Sequence, residues 1–371
     1  MRTIIFLIKK EFLQIFRDKF IGKAIFGIPI IQMLILVPAI TFEIKSAKLC
    51  IIDNDMTSES RGLISKLDGS PFFSISQATS SEKEANDLLY GNKADVVLHT
   101  PSEFGRNLGL GKPAKVMASV NAINAMTAQL SWAYLSGVIR DYNLDLVLSG
   151  NPAAAAMMAS PATTYRYWYN EMLNYKHYML PGILVILVTA IGFVLAGLNM
   201  VKEKEIGTIE QINVTPVKKY QFVTAKMIPF LLIGLIDLAL GLGVGKLLFH
   251  IPFEGSLFLL FICSAIFLVA ALGMALFVST MSGTQQQFMF VAFFFMIIFI
   301  LMSGIFTPME SMPAWAQKID LLNPVAYLMR INRMIMLKGS AFADISRDIY
   351  ALAAIAVVFT ALAINRYRKT A

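Results

Sequence analysis

The stretch GSLFLLFICSAIFLVAALGMALFVSTMSGTQQQFMFVAFFFMIIFILMSGIFTPM, Gly255–Met309, runs for 55 residues without an Asp, Glu, Lys or Arg. One bilayer crossing takes about 20 apolar residues, so this run holds two crossings and the turn between them. The composition agrees. Of 371 residues, 57% are apolar and 15% charged, against about 25% charged in an ordinary soluble domain. Mean hydropathy is +0.64. A disordered chain, a coiled coil and a cytosolic globule are excluded.

Working outward from this run, six spans are predicted: Ala24–Phe42, Met179–Asn199, Met227–Gly245, Ser256–Val278, Gln287–Phe306 and Ile349–Ile364. The last is short, and Arg366 and Tyr367 are expected to snorkel to the interface. An even count puts both termini on one side. Residues 1–23, 200–226, 279–286 and 365–371 carry 14 Lys and Arg, while the short loops 246–255 and 307–348 carry 6. The positive-inside rule then makes the first set, with both termini, cytoplasmic. Segment 43–178 holds 12 basic and 13 acidic residues. The formal charge of +8 is thus concentrated on the inner face, where anionic membrane lipid lies. No nucleic-acid partner is implied. The first span is read as a retained helix. It outruns a signal core of about 7–15 residues, and Glu-Ile-Lys follows Phe42 in place of a small-residue cleavage pattern.

Motifs that carry chemistry are missing. Cys50 lies outside a span and Cys263 inside one, so they form no disulfide framework. His99, His177 and His250 stand far apart with no metal-ligand spacing. The Gly-Lys pairs at Gly22, Gly111 and Gly245 lack the leading Gly of a phosphate-cradling loop. No catalytic residue, cofactor site or metal site is predicted in this chain.

The domain layout follows. Residues 1–23 hold an amphipathic helix ending near Asp18, with Ile4, Ile5, Ile8, Phe12, Ile15 and Phe16 on one stripe and Lys9, Lys10, Gln14 and Arg17 opposite. Residues 24–42 form span one. Segment 43–178 is an outer α/β domain with a tether, inserted between spans one and two. It alternates strands (Leu49–Asp53, Phe72–Ser76, Val96–His99, Val116–Asn121) with helices (Thr57–Leu67, Ser81–Tyr90, Ala122–Leu148). An Ala-rich stretch, Asn151–Ala159, follows. Tyr165, Tyr167, Trp168, Tyr169, Tyr175 and Tyr178 then read as an interfacial aromatic belt, with a ligand cage as the sharper alternative.

Residues 179–371 carry spans two to six, the inner loop 200–226 and the outer loop 307–348. In the inner loop, Thr208 is placed to N-cap a short helix containing Ile209, Ile212 and Val214 and ended by Pro216. It is either a solvated turn or a contact for a cytosolic partner. In the outer loop, Met309–Ile319 and Val325–Met336 read as interfacial helices around Asn323-Pro324. Asp237 falls in mid-span, where a charge costs about 2.5–3.5 kcal/mol. A place on a translocation path and a hydrogen bond pinning helix packing both stand as readings.

Several pieces, in order and spacing, resemble one family. They are Glu203-Lys-Glu-Ile-Gly-Thr-Ile-Glu210 with Thr215-Pro216, Gly283-Thr-Gln-Gln-Gln287, and Ser303-Gly-Ile-Phe-Thr-Pro-Met-Glu-Ser-Met-Pro313. Leu180-Pro181-Gly182, Asn323-Pro324 followed by Arg333, and the outer Ile52-Asp53-Asn54-Asp55, Arg61-Gly62 and Gly91–Pro101 add to them. Together they resemble the permease subunits of type-2 ABC exporters, in the multidrug-efflux-like branch with a large outer domain.

The resemblance implies a membrane α-helical bundle of six transmembrane helices with an N-terminal elbow helix. Two permeases pair, as identical copies or siblings, above two ATP-binding cassette subunits that bind the ATP, and a periplasmic adaptor is a further possible partner. It also implies a bacterial inner-membrane location and puts Glu203, Glu205, Gly207, Thr208 and Glu210 at or near the ATPase contact. Asp237 departs from the simplest family pattern. The cargo expected is an amphipathic small molecule, drug or lipid. The path would lie between two copies, walled by spans two and five. Phe193, Met296, Phe299 and Met302 are its candidate wall residues, and plain helix packing is their other reading. The rival function is a membrane-anchored sensor or scaffold whose outer domain binds a ligand.

Overall fold

The computed structural model describes residues 2–39, 46–123, 125–150, 175–250 and 253–367. The chain divides into two compact units, Met1–Thr41 with Arg166–Ala371, and Phe42–Tyr165. The Ala-rich stretch 151–159 and belt residues 165–169 lie outside the described residues.

The unit Phe42–Tyr165 holds a four-stranded sheet, β1 (Ala47–Asp53), β2 (Phe73–Ala78), β3 (Val96–Thr100) and β4 (Met117–Val120), in the order β2-β1-β3-β4. β1 is parallel to both neighbours, with Leu49 opposite Val96, and β4 runs antiparallel to β3. Successive strand residues face opposite sides. Leu49 and Ile51 therefore join a core with Leu63, Leu67 and Leu135, while Cys50 and Ile52 join another with Ala85 and Val97. A central strand buried on both faces is a continuous apolar run in sequence, which is why β1 was legible. Thr57 and Ser81 N-cap the helices α3 (Ser58–Asp68) and α4 (Glu82–Tyr90) through their hydroxyls. A short helix α5 (Phe104–Gly109) was not predicted. The long helix α6 spans Ala125–Gly150. The Asp53 carboxylate accepts from the Asp55 and Met56 amides and from Ser60 Oγ, and Tyr142 Oη donates to the Glu59 carbonyl beside Gly62. The Asp-Asn-Asp and Arg-Gly pieces are thus turn and packing devices.

In the other unit, α1 is Arg2–Arg17 and α2 is Lys19–Ala39, with an apolar stretch at Ile25–Ala39. Span two comprises α7 (Tyr175–Thr189), a π-helical turn at Ala190–Leu195, and α8 (Ala196–Ile206). Next come the short α9 (Thr208–Asn213) and α10 (Lys219–Phe249), then α11 (Leu257–Met281), α12 (Gln285–Met302), α13 (Ala314–Asp320), α14 (Pro324–Lys338) and α15 (Phe342–Arg366). Among the described residues, five helices are long and apolar enough to cross a membrane: Lys176–Ile206, Lys219–Phe249, Leu257–Met281, Gln285–Met302 and Phe342–Arg366. Span two is central, with 78% of its apolar window buried, and α12 is peripheral, with 11%.

Four expectations change. The sixth span is a full 25-residue helix, because its first two turns carry Asp344, Arg347 and Asp348 and so escape a hydropathy window. Tyr367 does not snorkel; it is buried and stacked on Phe222. Val325–Met336 is not interfacial. α14 is buried along most of its length and packs against α7 and α11. On α1, Glu11 and Ile15 are buried against α10 while Ile5, Phe6, Leu13 and Phe16 are exposed. Apolar periodicity marks a face that avoids water, and it does not tell protein from lipid.

Candidate functional site

The site is built where span two leaves the bundle. Lys202, Glu203, Lys204 and Glu205 end α8, and helical rotation of 3.6 residues per turn aims them in four directions. Each meets a different partner. Lys202 Nζ reaches Asp18 at the junction of α1 and α2 at 2.5 Å. Lys204 Nζ donates to the Ser282 and Thr280 carbonyls at 2.7 and 3.2 Å, at the C-terminal end of α11. Glu205 accepts from Gln285 Nε2 at 2.6 Å in the first turn of α12. A cation at a helix C-terminus and an anion at an N-terminus both complement the helix dipole.

Glu203 turns inward. It is 1% exposed, as is Lys226 of α10, and Glu11 of α1 is 2% exposed. Lys226 Nζ lies 2.8 Å from Glu203 Oε2 and 2.8 Å from Glu11 Oε2, and it also donates to Asn199 Oδ1 of α8. Lys10 closes the ring on the remaining oxygens, Glu11 Oε1 at 2.9 Å and Glu203 Oε1. Burial alone would lower the Lys10 ammonium, but the facing Glu11 and Glu203 carboxylates outweigh it and hold its pKa above the usual 10.5. Two cations and two anions leave the ring neutral, which is how charges persist away from water. Glu203 is therefore not on the exposed surface of the loop, where a direct ATPase contact would need it. Lys10 and Glu11 were missed because they sit in a mixed charged stretch that reads as solvated, and Lys226 because it was counted with the basic inner loop at the edge of span three.

The chain turns at Gly207, whose φ of +82° is in the left-handed region that favours glycine. Gly207, not Thr208, holds the N-cap position of α9, and the Thr208 hydroxyl donates back to the Glu203 carbonyl at 3.0 Å. α9 thus hangs directly from the buried ring. It buries Ile209 and presents Glu210 to solvent between two exposed apolar residues, Ile206 and Val214, which are 64% and 85% exposed. Beside α9 lies an open groove of about 870 Å³ lined by Lys204, Glu210, Thr280, Asn365 and Arg366.

The candidate wall residues separate. Phe193 is buried among Met274, Phe288 and Ala292, so in this structure it packs within the protomer and lines no open path. Met296, Phe299 and Met302 are half-buried on α12, whose open face carries Phe290, Phe293, Phe294, Ile297 and Leu301. Asp237 is fully buried in α10, and among the described residues neither carboxylate oxygen has a hydrogen-bond partner. The packing-hydrogen-bond reading is not supported, and the side chain opens on no surface. At the other end of the spans, Asn323 caps α14 and donates to the Phe299 carbonyl at 2.9 Å. Arg333 binds the Gly304 and Ile305 carbonyls and stacks 4.0 Å from the Tyr178 ring. These contacts lock the end of α12 to α7 and account for the Asn-Pro, Arg333 and Ser-Gly-Ile pieces.

The family model for ABC-2 family transporter proteins matches residues 24–365. The chain belongs to this family. It is 28% identical over 364 residues to the probable multidrug ABC transporter permease YbhR of Escherichia coli K12, covering 98% of this chain and 97% of the relative. Identity to the probable multidrug ABC transporter permease YbhS of the same organism is 23% over 363 residues, covering 97% and 95%. Identity to its inner membrane transport permease YhhJ is 24% over 327 residues, covering 87% and 86%. The ABC-2 chain described here is a permease subunit of an ABC exporter, and its family implies ATP-binding cassette partner subunits.

Proposed function

We propose that this permease forms the path by which an exporter moves amphipathic small molecules, drugs or lipids from the cytoplasm or inner leaflet outward. ATP is bound and hydrolysed by the partner cassettes. α2 is span one and completes the six, both termini and loop 200–226 are cytoplasmic, and the inserted α/β unit is extracytoplasmic in the bacterial inner membrane. Two permeases, identical or sibling, pair across the open face of α12, and a periplasmic adaptor extends the route. Met296, Phe299 and Met302 border that face. The cargo class rests on the names of the YbhR and YbhS relatives.

The observation that carries this reading is the surface of α9. Glu210, with Ile206 and Val214 exposed on either side, offers a cytosolic protein a charge and an apolar grip. The same helix is fixed through α8 to α1, α10, α11 and α12. A push delivered there reaches most of the bundle without passing through a loop. Glu205, Gly207 and Thr208 support that surface.

The test is co-purification with the cassette, together with sided labelling of Val214→Cys by a membrane-impermeant maleimide. Glu210→Arg is expected to abolish cassette binding while the permease still elutes as a folded species. Labelling of Val214→Cys from the outside, or normal cassette binding by Glu210→Arg, would refute the assignment.

A further inference from the structure

The buried ring does more than neutralise charge. Lys226 donates to Glu11 Oε2 and Asn199 Oδ1 and stands 2.8 Å from Glu203 Oε2 as an ion pair. Each carboxylate takes Lys226 on one oxygen and Lys10 on the other. Three chain segments, around residues 10, 203 and 226, are thereby closed on each other at one point. Sliding any of them past the others would part opposite charges away from water, where their attraction is little screened. α9 is tied to this point by the Thr208 hydroxyl on the Glu203 carbonyl. α1, for its part, leaves Ile5, Phe6, Leu13 and Phe16 exposed, an apolar face suited to lie in the headgroup boundary.

Resting on the exporter reading above, we infer that Lys226 is a positioning residue for coupling. It makes the elbow helix α1 move as one body with α8, α9 and α10, so that the cassette's stroke on α9 also displaces the elbow at the inner leaflet surface. It touches neither nucleotide nor cargo and acts through Glu11 and Glu203.

The experiment uses the complete permease–cassette complex in nanodiscs, on a Cys50→Ala, Cys263→Ala background. Spin labels are placed at Ile5→Cys on the elbow and Gln211→Cys, exposed on α9, and labelled protomers are diluted with unlabelled ones. The distance between labels is read without nucleotide and after trapping with ATP and vanadate. The ring is neutralised by the fourfold change Lys10→Met, Glu11→Gln, Glu203→Gln, Lys226→Met. ATP-driven movement of a fluorescent short-chain phospholipid and of a cationic amphipathic dye is followed in proteoliposomes alongside ATPase rate.

The ring with its native side chains is expected to keep one distance distribution in both states. The neutralised ring is expected to retain cassette binding and ATPase activity, to show a distance that changes on trapping, and to move about tenfold less probe per ATP, within the range of coupling between linked sites. Lys226→Arg, which keeps the charge, is expected to restore the single distribution. If the fourfold variant does not assemble, the charge-balanced double change Glu11→Gln, Lys226→Met, which removes Lys226 and its α1 partner, is expected to shift the distance in the same direction. A distance that changes in the native ring, or that stays fixed in the neutralised ring or in the double variant, overturns the assignment of Lys226. A native chain that binds no cassette would instead defeat the exporter reading.

Discussion

A lysine with 1% of its side chain exposed is stable only with its counter-charges in place. Lys226→Met leaves Glu11 and Glu203 facing each other with Lys10 alone to balance them. Breaking one partner out of a buried pair costs about 3–5 kcal/mol, so this single change is expected to destabilise the purified permease by that order. The neutral fourfold variant is expected to recover most of the loss. Thermal unfolding in detergent checks both, and equal midpoints for Lys226→Met and the native chain would show that the ring is not closed.

Asp320 offers a second test at the same scale. Burial raises its carboxyl above the ordinary 3.8, against the hydrogen bond from Asn323 and the charge of Arg330. An acid with a raised folded-state pKa binds more protons folded than unfolded, so stability falls as pH rises through that window. Asp320→Asn is therefore expected to raise the unfolding temperature at pH 7 and to lose that advantage below pH 3.8. Denaturation scans at both pH values decide it, and a lower midpoint at pH 7 would reverse the sign.

At the scale of elements, α8 and α12 meet at Gly197. A Cβ there would stand 1.9 Å from the Phe288 ring, and Phe288 is fully buried. Gly197→Ala must displace the ring or part the helices, and overpacking of this kind costs about 1–3 kcal/mol. Reduced thermal stability is expected, with relief from the double change Gly197→Ala, Phe288→Leu. Failure of the second change to relieve the first would place the clash elsewhere. The element map itself was largely readable. Strands β1 and β3, helices α3 and α4, and the span cores follow from apolar periodicity and N-caps. The misses have local causes. α15 begins with charged turns, α14 is amphipathic yet buried, and Gly207 takes the cap position that Thr208 was expected to hold.

For the whole molecule, the open face of α12 matters most. Phe290, Phe293 and Phe294 are exposed there, and a shallow apolar hollow of about 420 Å³ adjoins Phe290 and Phe293. Under the proposed pairing of two permeases this face is the seam. Phe290→Cys in native membranes is expected to yield an oxidative cross-link between permeases, whereas Tyr350→Cys, exposed on α15, is not. Equal cross-linking at both positions, or none at Phe290→Cys, would remove the seam from α12.

Sequence by itself determined the solvent of each segment. A charge-free run of 55 residues must leave water, an alternating α/β stretch must fold apart from it, and the basic residues gather beside one set of span ends. These are partition properties, additive along the chain, so they survive in one dimension. Only the tertiary structure decided which charges are withdrawn from water: Glu11, Glu203 and Lys226 are buried, and Lys10 reaches them from the partly exposed rim. Lys10, Glu11, Glu203 and Lys226 lie up to 216 positions apart, and no one of their stretches names the partner it will meet. Their pairing is a property of where three helices cross, because a buried charge is tolerated only when its partner arrives from another part of the chain.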